Sequence, residues 1–234
     1  MAIDYLATSY AVVDSSVTAA NSSGAYDSLA TGTDRMLCVA FFYENDTVPQ
    51  NITACTYNGS SLARPTNGKA TRAGQFSESA EIWTLKNPAT GSNTLAWTKA
   101  DSGQDFVVVA WVMTGCDETV GNSIAEVGTD QTADLVFAND ESAAIWAAVD
   151  NRADQAPWTP ATDNVEIAEG VIATGASGFT YSVGWRGPEA MAGTYSVGSD
   201  TGAFDTGAMV ALELKIAAGG GGATPNSIYY HANC

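Results

Sequence analysis

The sequence contains a single histidine, His231, which lies three residues before the C-terminal Cys234. A Ser-His-Asp or Cys-His site needs its nucleophile, base and orienting group held in register, and a chain end does not provide this. The same count excludes a histidine-rich zinc site, and no Cys-x-x-Cys pair is present. We therefore expect a protein that is not an enzyme, with no catalytic residues, no metal-ligating residues and no required cofactor.

Positively charged residues are also scarce. Lys and Arg total 9 against 26 Asp and Glu, which gives a formal net charge of −17. Such a surface repels phosphate backbones and anionic lipids, so we expect no binding to nucleic acid or membranes. No apolar stretch approaches the length of a transmembrane helix, and the first residues lack the basic and apolar regions of a signal peptide. These features predict synthesis in the cytoplasm without a signal peptide.

Two unbroken apolar runs are the strongest structural signal in the chain. Residues 106–113 read FVVVAWVM, and residues 36–43 read MLCVAFFY. Short runs rich in β-branched and aromatic residues are typical of fully buried strands. The two runs are predicted to be the central strands of a sheet packed on both faces, or of a sandwich core.

Alternating segments predict further strands around these two. Asn58-Gly59 is the clearest hairpin signal, because both residues tolerate the positive φ angles of a type I′ turn. Segment 143–149 fits a helix or a strand, and its length and setting favour a strand. The full set of predicted strands is 10–18, 35–44, 51–57, 60–64, 79–86, a strand around residues 95–97, 105–115, 143–149, 164–173, 179–185, a strand around residues 195–197, and 208–216. We expect an all-β fold, a two-sheet antiparallel β-sandwich over residues 1–216.

The cysteine pattern does not suggest a disulfide framework. Cys38, Cys55 and Cys116 lie in or beside predicted strands, where a lone cysteine is usually a small buried apolar residue. They are expected to be reduced.

The chain changes character after the last predicted strand. Residues 217–223 contain four consecutive glycines and form a flexible linker. Residues 224–234 follow as a C-terminal arm that carries Ile228, Tyr229 and Tyr230. Either this arm is a frayed end, or these apolar side chains dock on a neighbouring subunit or partner.

The order of several motifs resembles a known group of proteins. The motifs are RMLCVA from Arg35, ITACTYNGSSL from Ile52, EIWTLKNPATGSNTL from Glu81, TGCDETVG from Thr114 and MVALELK from Met209. Residues 10–216 thereby resemble β-sandwich domains found in bacteriophage structural proteins and large bacterial surface proteins. The resemblance implies a jelly-roll-like sandwich with a structural or adhesive role, and it implies no catalytic residues.

Paired carboxylates and calcium ligands are the remaining chemical candidates. Glu78 with Glu81, and Glu166 with Glu169, are spaced as pairs, but a three-residue spacing places the two side chains on opposite faces of a strand. Acidic loops at 101–105, 117–118, 140–141 and 200–205 could supply oxygen ligands to Ca²⁺, although none has EF-hand spacing.

Two tryptophans are candidates for stacking on a sugar. Trp158 lies between two prolines, which favours exposure in a loop, and Trp185 precedes Arg186-Gly187-Pro188. The alternative for both is ordinary packing, because tryptophan is usually well buried.

Two functions follow from these observations. The first is a virion structural protein, a bacteriophage capsid decoration (cement) protein or related surface component, which forms a homo-oligomer and binds the major capsid protein or another virion protein. The second is a carbohydrate-binding or adhesive module of a fibre or surface protein.

Overall fold

The computed structural model describes residues 2–15, 21–29, 31–45, 51–73, 77–100, 105–129, 131–151, 158–174, 177–200 and 207–218. Every regular element in these residues is a strand. The strands are β1 (Asp4–Tyr5), β2 (Ala11–Asp14), β3 (Asn21–Asp27), β4 (Met36–Asn45), β5 (Ile52–Tyr57), β6 (Ser60–Ser61), β7 (Lys69–Thr71), β8 (Ser77–Lys86), β9 (Ser92–Lys99), β10 (Phe106–Thr114), β11 (Cys116–Gly128), β12 (Thr132–Phe137), β13 (Ser142–Asp150), β14 (Thr159–Pro160), β15 (Asn164–Thr174), β16 (Ser177–Glu189), β17 (Gly193–Asp200) and β18 (Gly207–Ile216). No described helix is long and apolar enough to cross a membrane.

The two apolar runs pair with each other as neighbouring antiparallel strands. β10 pairs with β4 from Phe106 opposite Tyr43 to Met113 opposite Met36. Both faces of this ladder are buried, because successive side chains point to opposite faces and each face meets another sheet. The prediction of central strands packed on both faces is confirmed.

The strands form four sheets that stack as layers. The first inner sheet has the order β1-β10-β4-β8-β7, with β2 also paired to β10, and the second inner sheet has the order β11-β18-β13-β16-β15. The first outer sheet is β3-β9-β5-β6, and the second outer sheet is β12-β17-β14. The two inner sheets enclose a central core, and each outer sheet encloses an outer core against its own inner sheet.

The two halves of the chain share one strand order. In the first half β10 and β4 are the neighbours at the middle of the inner sheet, and in the second half β18 and β13 take these places. The outer sheets agree in the same way, because β3-β9-β5 corresponds to β12-β17-β14 in both chain order and pairing. The molecule is therefore two sandwich halves packed through their inner sheets.

The all-β, sandwich-like prediction is confirmed, but the structure has four sheets where two were predicted. The extra sheets explain why β4, β10, β13 and β18 are apolar on both faces: an inner sheet has no solvated side. Segment 143–149 is a strand, as predicted. Residues 117–118, predicted to be an acidic loop, instead begin the long edge strand β11, several of whose polar side chains reach solvent.

Local predictions mostly agree with the structure. Asn58 and Gly59 have φ angles of 48° and 76° and close the β5–β6 hairpin. Cys38, Cys55 and Cys116 are buried free thiols, and burial raises the pKa of Cys116 to about 12. The domain bounds 1–216 stay a prediction, and the arm at 224–234 lies outside the described residues.

Candidate functional site

Trp158 does not lie where its sequence context suggested. Its side chain is only 4% exposed and packs in the second outer core, so the expectation of an exposed ring is wrong. β14 begins at the next residue and pairs with β17, which turns the tryptophan inward. Trp185 is half-buried against the central core. A role for Trp185 in glycan binding stays a prediction.

The first carboxylate pair behaves as predicted. Glu78 lies on the same face of β8 as Ala80 and Ile82, toward the central core, and Glu81 lies on the face of Trp83, toward the first outer core. Glu78 is neutralised by Arg72, whose Nη1 is 2.9 Å from its Oε2. Burial nevertheless raises the pKa of Glu78 above its usual value.

The second carboxylate pair corrects the prediction. The β15–β16 ladder shifts register between Glu166 and Ala168, which marks a β-bulge. Ile167 and Ala168 both face the central core, so Glu166 and Glu169 are brought to the same face, where their side chains meet. The pKa of Glu166 is raised by burial and by the adjacent Glu169. Ser182 Oγ, 3.2 Å from Glu166 Oε2, donates to this pair.

The most elaborate polar cluster surrounds Glu81, and we call it the Glu81 cluster. The carboxylate is fully buried and accepts hydrogen bonds from Tyr43 Oη, Trp83 Nε1 at 3.1 Å and the backbone N–H of Ile52 at 3.3 Å. Arg64 Nη1 lies 2.7 Å from Glu81 Oε2. A carboxylate held by this many donors is well satisfied despite its burial.

A second cation and an amide complete the Glu81 cluster. Lys69 Nζ lies 3.3 Å from Glu81 Oε1 and 3.3 Å from Asn51 Oδ1. Arg64 Nη1 also donates to Asn51 Oδ1 at 3.0 Å. Burial, and to a smaller extent Arg64, lowers the pKa of Lys69 even though Glu81 opposes this shift.

Sequence reasoning missed the Glu81 cluster. Its members come from four separate segments, at residues 43, 51–52, 64–69 and 81–83, and Lys69 lies outside every predicted strand. The sequence signal was weak: a charged residue on a strand face that otherwise carries Trp83 and Leu85. Only the stacking of the outer sheet on the inner sheet brings Asn51 over this face.

Glu213 is a second buried carboxylate. Alternation along the predicted strand 208–216, with Leu212 and Leu214 facing inward, predicts that Glu213 faces outward, and its burial shows that this prediction is wrong. Glu213 is fully buried, and its hydrogen-bond donors among the described residues are uncharged. These are the backbone N–H groups of Asn122, Ala138 and Asn139, the Asn139 side-chain amide and the Ser142 hydroxyl. The carboxylate ties the β12–β13 connection and edge strand β11 to β18, which is a structural role.

The predicted calcium ligands are only partly described. Residues 101–104 and 201–205 lie outside the described residues, and Asp140 Oδ1 accepts a hydrogen bond from the backbone N–H of Ala192 at 2.7 Å. Within the described ranges no three His, Cys, Asp or Glu side chains converge on a metal position. Calcium binding by the remaining loops stays a prediction.

The described chain ends at the junction of the two halves. Beyond β18, the backbone N–H of Ala217 donates to the carbonyl of Gly115, the residue that separates β10 from β11, at 2.9 Å. A shallow cleft lined by Asp34, Lys86, Asp117 and Ala218 opens beside this point. Ile228, Tyr229 and Tyr230 lie outside the described residues, so their partner-binding role stays a prediction.

A polar cleft of about 460 Å³ lies on the second half. Arg186 lies at its base, 5.2 Å from the centre of the Tyr195 ring and 3.3 Å from Asp163 Oδ2. Thr162 and Ser196 also line it. The cleft combines hydroxyl groups, one ion pair and one aromatic wall.

Comparisons with known proteins assign no family to this chain. No family model matches it, and neither the curated proteins nor the solved structures contain a match. The functional argument therefore depends on the residues and geometry above.

Proposed function

We propose that the protein is a non-enzymatic structural component of a bacteriophage virion, a capsid decoration protein or related surface component. The observation that carries the proposal is the union of two sandwich halves through fully buried inner sheets, with the chain leaving at their junction. A rigid body with a tethered arm suits repeated attachment to a symmetric particle. We also propose that the sandwich over residues 1–216 is jelly-roll-like.

The arm supplies the attachment. The linker at 217–223 lets the arm at 224–234 reach a neighbouring subunit while the sandwich stays fixed. Each contact through Ile228, Tyr229 and Tyr230 is small, but many copies on one particle act together. The acidic surface keeps the free protein soluble before assembly.

Fractionation of particles tests this function. Particles from the native source are banded on a density gradient, and the band is analysed by quantitative mass spectrometry. We expect this protein at a fixed stoichiometry to a major capsid protein. Absence from the particle band would reject a virion role.

A truncated chain tests the arm. Deletion of residues 224–234 is expected to reduce binding to particles at least tenfold while the β-sheet circular dichroism spectrum is unchanged. A full-length variant with Ile228, Tyr229 and Tyr230 replaced by serine controls for chain length. Unchanged binding by both proteins would show that the arm is not the attachment site.

Glycan binding is the second candidate function, and the cleft around Arg186 favours it. Sugars bind shallow clefts that combine hydroxyl-bonding groups with an aromatic wall. Because Trp158 is buried and Trp185 packs against the central core, on the strand face opposite Arg186, Tyr195 is the aromatic residue to test in this cleft. Tyr195→Ala is expected to abolish retention on a glycan array, with Tyr10→Ala, another partly exposed tyrosine, as control. No retention of the intact protein would reject this candidate.

A further inference from the structure

The Glu81 cluster contains a lysine, an amide and a carboxylate in direct polar contact. Lys69 Nζ lies 3.3 Å from the Asn51 side-chain carbonyl oxygen and 3.3 Å from Glu81 Oε1. The atom that an amine would attack, Asn51 Cγ, is bonded to this carbonyl oxygen, so the lysine lies beside the amide and beside a carboxylate that could take its proton. The three residues come from different elements: Lys69 from β7, Glu81 from β8, and Asn51 from the start of β5 in the other sheet.

We propose that Lys69 and Asn51 form an intramolecular isopeptide bond that cross-links the first inner sheet to the first outer sheet. The Lys69 Nζ lone pair attacks Asn51 Cγ and forms a tetrahedral intermediate. The bond between Cγ and Nδ2 of Asn51 then breaks, and ammonia leaves. One lysine amine and one asparagine amide become one secondary amide and one ammonia, with no change in oxidation state.

Glu81 moves the protons in this reaction. Its Oε1 accepts a proton from the Lys69 ammonium, which frees the nitrogen lone pair for attack. The protonated carboxyl then delivers that proton to the departing nitrogen. The carboxylate next takes the second proton from the attacking nitrogen and passes it to the released ammonia, which leaves as ammonium, so Glu81 is regenerated. The apolar and aromatic surroundings of the first outer core keep bulk water from competing with the amine.

Arg64 polarises the amide that is attacked. Its Nη1 donates to Asn51 Oδ1 at 3.0 Å, which is the oxygen on which negative charge develops in the tetrahedral intermediate. The guanidinium carbon lies 5.4 Å from the centre of the Trp83 ring, and this contact holds the side chain in place. Burial and the neighbouring guanidinium also lower the pKa of Lys69, which favours its neutral, nucleophilic form.

The bond would act as a covalent clip within the first half. β7 is an edge strand of the first inner sheet, and β5 belongs to the first outer sheet. A link between them prevents the two sheets from separating at that edge. The inference is independent of the virion proposal, because it concerns a bond within one chain.

Intact-mass spectrometry of the natively purified full-length protein tests the bond. We expect a mass lower than that of the sequence by one ammonia. Lys69→Arg keeps the charge but removes the amine nucleophile, so it should restore the full sequence mass. Asn51→Ala and Glu81→Gln should also restore it, and Lys86→Arg, a matched change at another partly buried lysine, should not.

Peptide mapping locates the bond. Chymotrypsin cleaves after Tyr57, between the two partners, so the peptide that carries Asn51 stays joined to the peptide that carries Lys69 only if the bond exists. Trypsin should also fail to cleave after Lys69. A wild-type mass equal to the sequence mass, or a loss of ammonia that persists in Lys69→Arg, would overturn the proposal.

Discussion

The two sandwich halves have the same strand order but bury different side chains at equivalent positions. β10 begins with Phe106 opposite Tyr43, and β18 begins with Gly207 opposite Asp150. Counting from these pairs aligns the two inner sheets residue by residue. Side chains that agree at equivalent positions follow from the shared strand order, whereas the volumes and charges that differ are specific to each half.

The large side chain at equivalent positions of the two inner sheets comes from a different strand in each half. In the first half Trp83 on β8 lies opposite Val39 on β4. At the equivalent positions of the second half, β16 has Gly184 and β13 has Trp146. A Cβ on Gly184 would lie 2.3 Å from Trp146 Cζ2, so the glycine makes room for the indole ring. Each half fills the layer with one tryptophan, but from opposite strands.

Charge differs more deeply than bulk. In the first half the edge strand supplies Lys69 directly opposite Glu81. In the second half the equivalent edge strand supplies Glu169 opposite Ser182. The first half therefore pairs opposite charges, whereas the second crowds Glu169 against Glu166. Strand order constrains which faces are buried, but it leaves open how buried polar groups are satisfied.

Replacing Trp146 in the second half, and its counterpart Trp83 in the first half, with alanine should give the largest effects on stability. Trp146 is fully buried, so Trp146→Ala should lower the free energy of unfolding by about 3–5 kcal/mol. Trp83 is 8% exposed, so Trp83→Ala should cost less, about 3 kcal/mol or below. Urea unfolding followed by tryptophan fluorescence and circular dichroism measures both. A larger loss of unfolding free energy for Trp83→Ala than for Trp146→Ala would contradict the expectation that the more exposed ring contributes less to stability.

A methyl group at the compensating glycine should have the next largest effect. Gly184→Ala places a Cβ against Trp146 and 2.6 Å from the carbonyl oxygen of Val165, so we expect a loss of about 2–3 kcal/mol. Gly187→Ala is the matched control on the same strand, because its nearest neighbour is 4.0 Å away. The double variant with Trp146→Leu should recover part of the loss, since the two side chains compete for one volume. If the losses of unfolding free energy were additive in the double variant, the side chains at 184 and 146 would not be competing for the same volume.

The inner strands were predictable because their signal is local. Apolar runs in the sequence identify β4, β10, β13 and β18, and the turn residues Asn58 and Gly59 identify the hairpin. The number of sheets was not predictable in the same way, because a strand buried on both faces fits several arrangements. β11 was missed because an edge strand can carry polar side chains along its exposed face.

The candidate sites depended on features with no sequence signature. The bulge at Ile167 reversed the expected separation of Glu166 and Glu169, and a bulge adds one residue without a marker such as glycine. Glu213 was assigned to solvent because alternation gives only the face, not what covers it. The Glu81 cluster needed the register between two sheets.

Glu166→Gln tests the difference in buried charge between the two halves, and of the three predictions it should change stability least. Because the folded state raises the pKa of Glu166 above its ordinary value of 4.5, folding favours the protonated form. The wild-type protein therefore loses stability as the pH rises from below 4.5 through the folded-state pKa.

Glutamine stays neutral throughout this range, so the variant should gain stability relative to wild type at pH 7. The gain should be less than about 1 kcal/mol, because the pair is partly solvated and screened. At pH 4 the difference should shrink toward zero. Thermal unfolding at both pH values measures it, with Glu126→Gln on edge strand β11 as control. A variant that is less stable than wild type at pH 7 would show that the two carboxylates of the second half support the fold rather than oppose it.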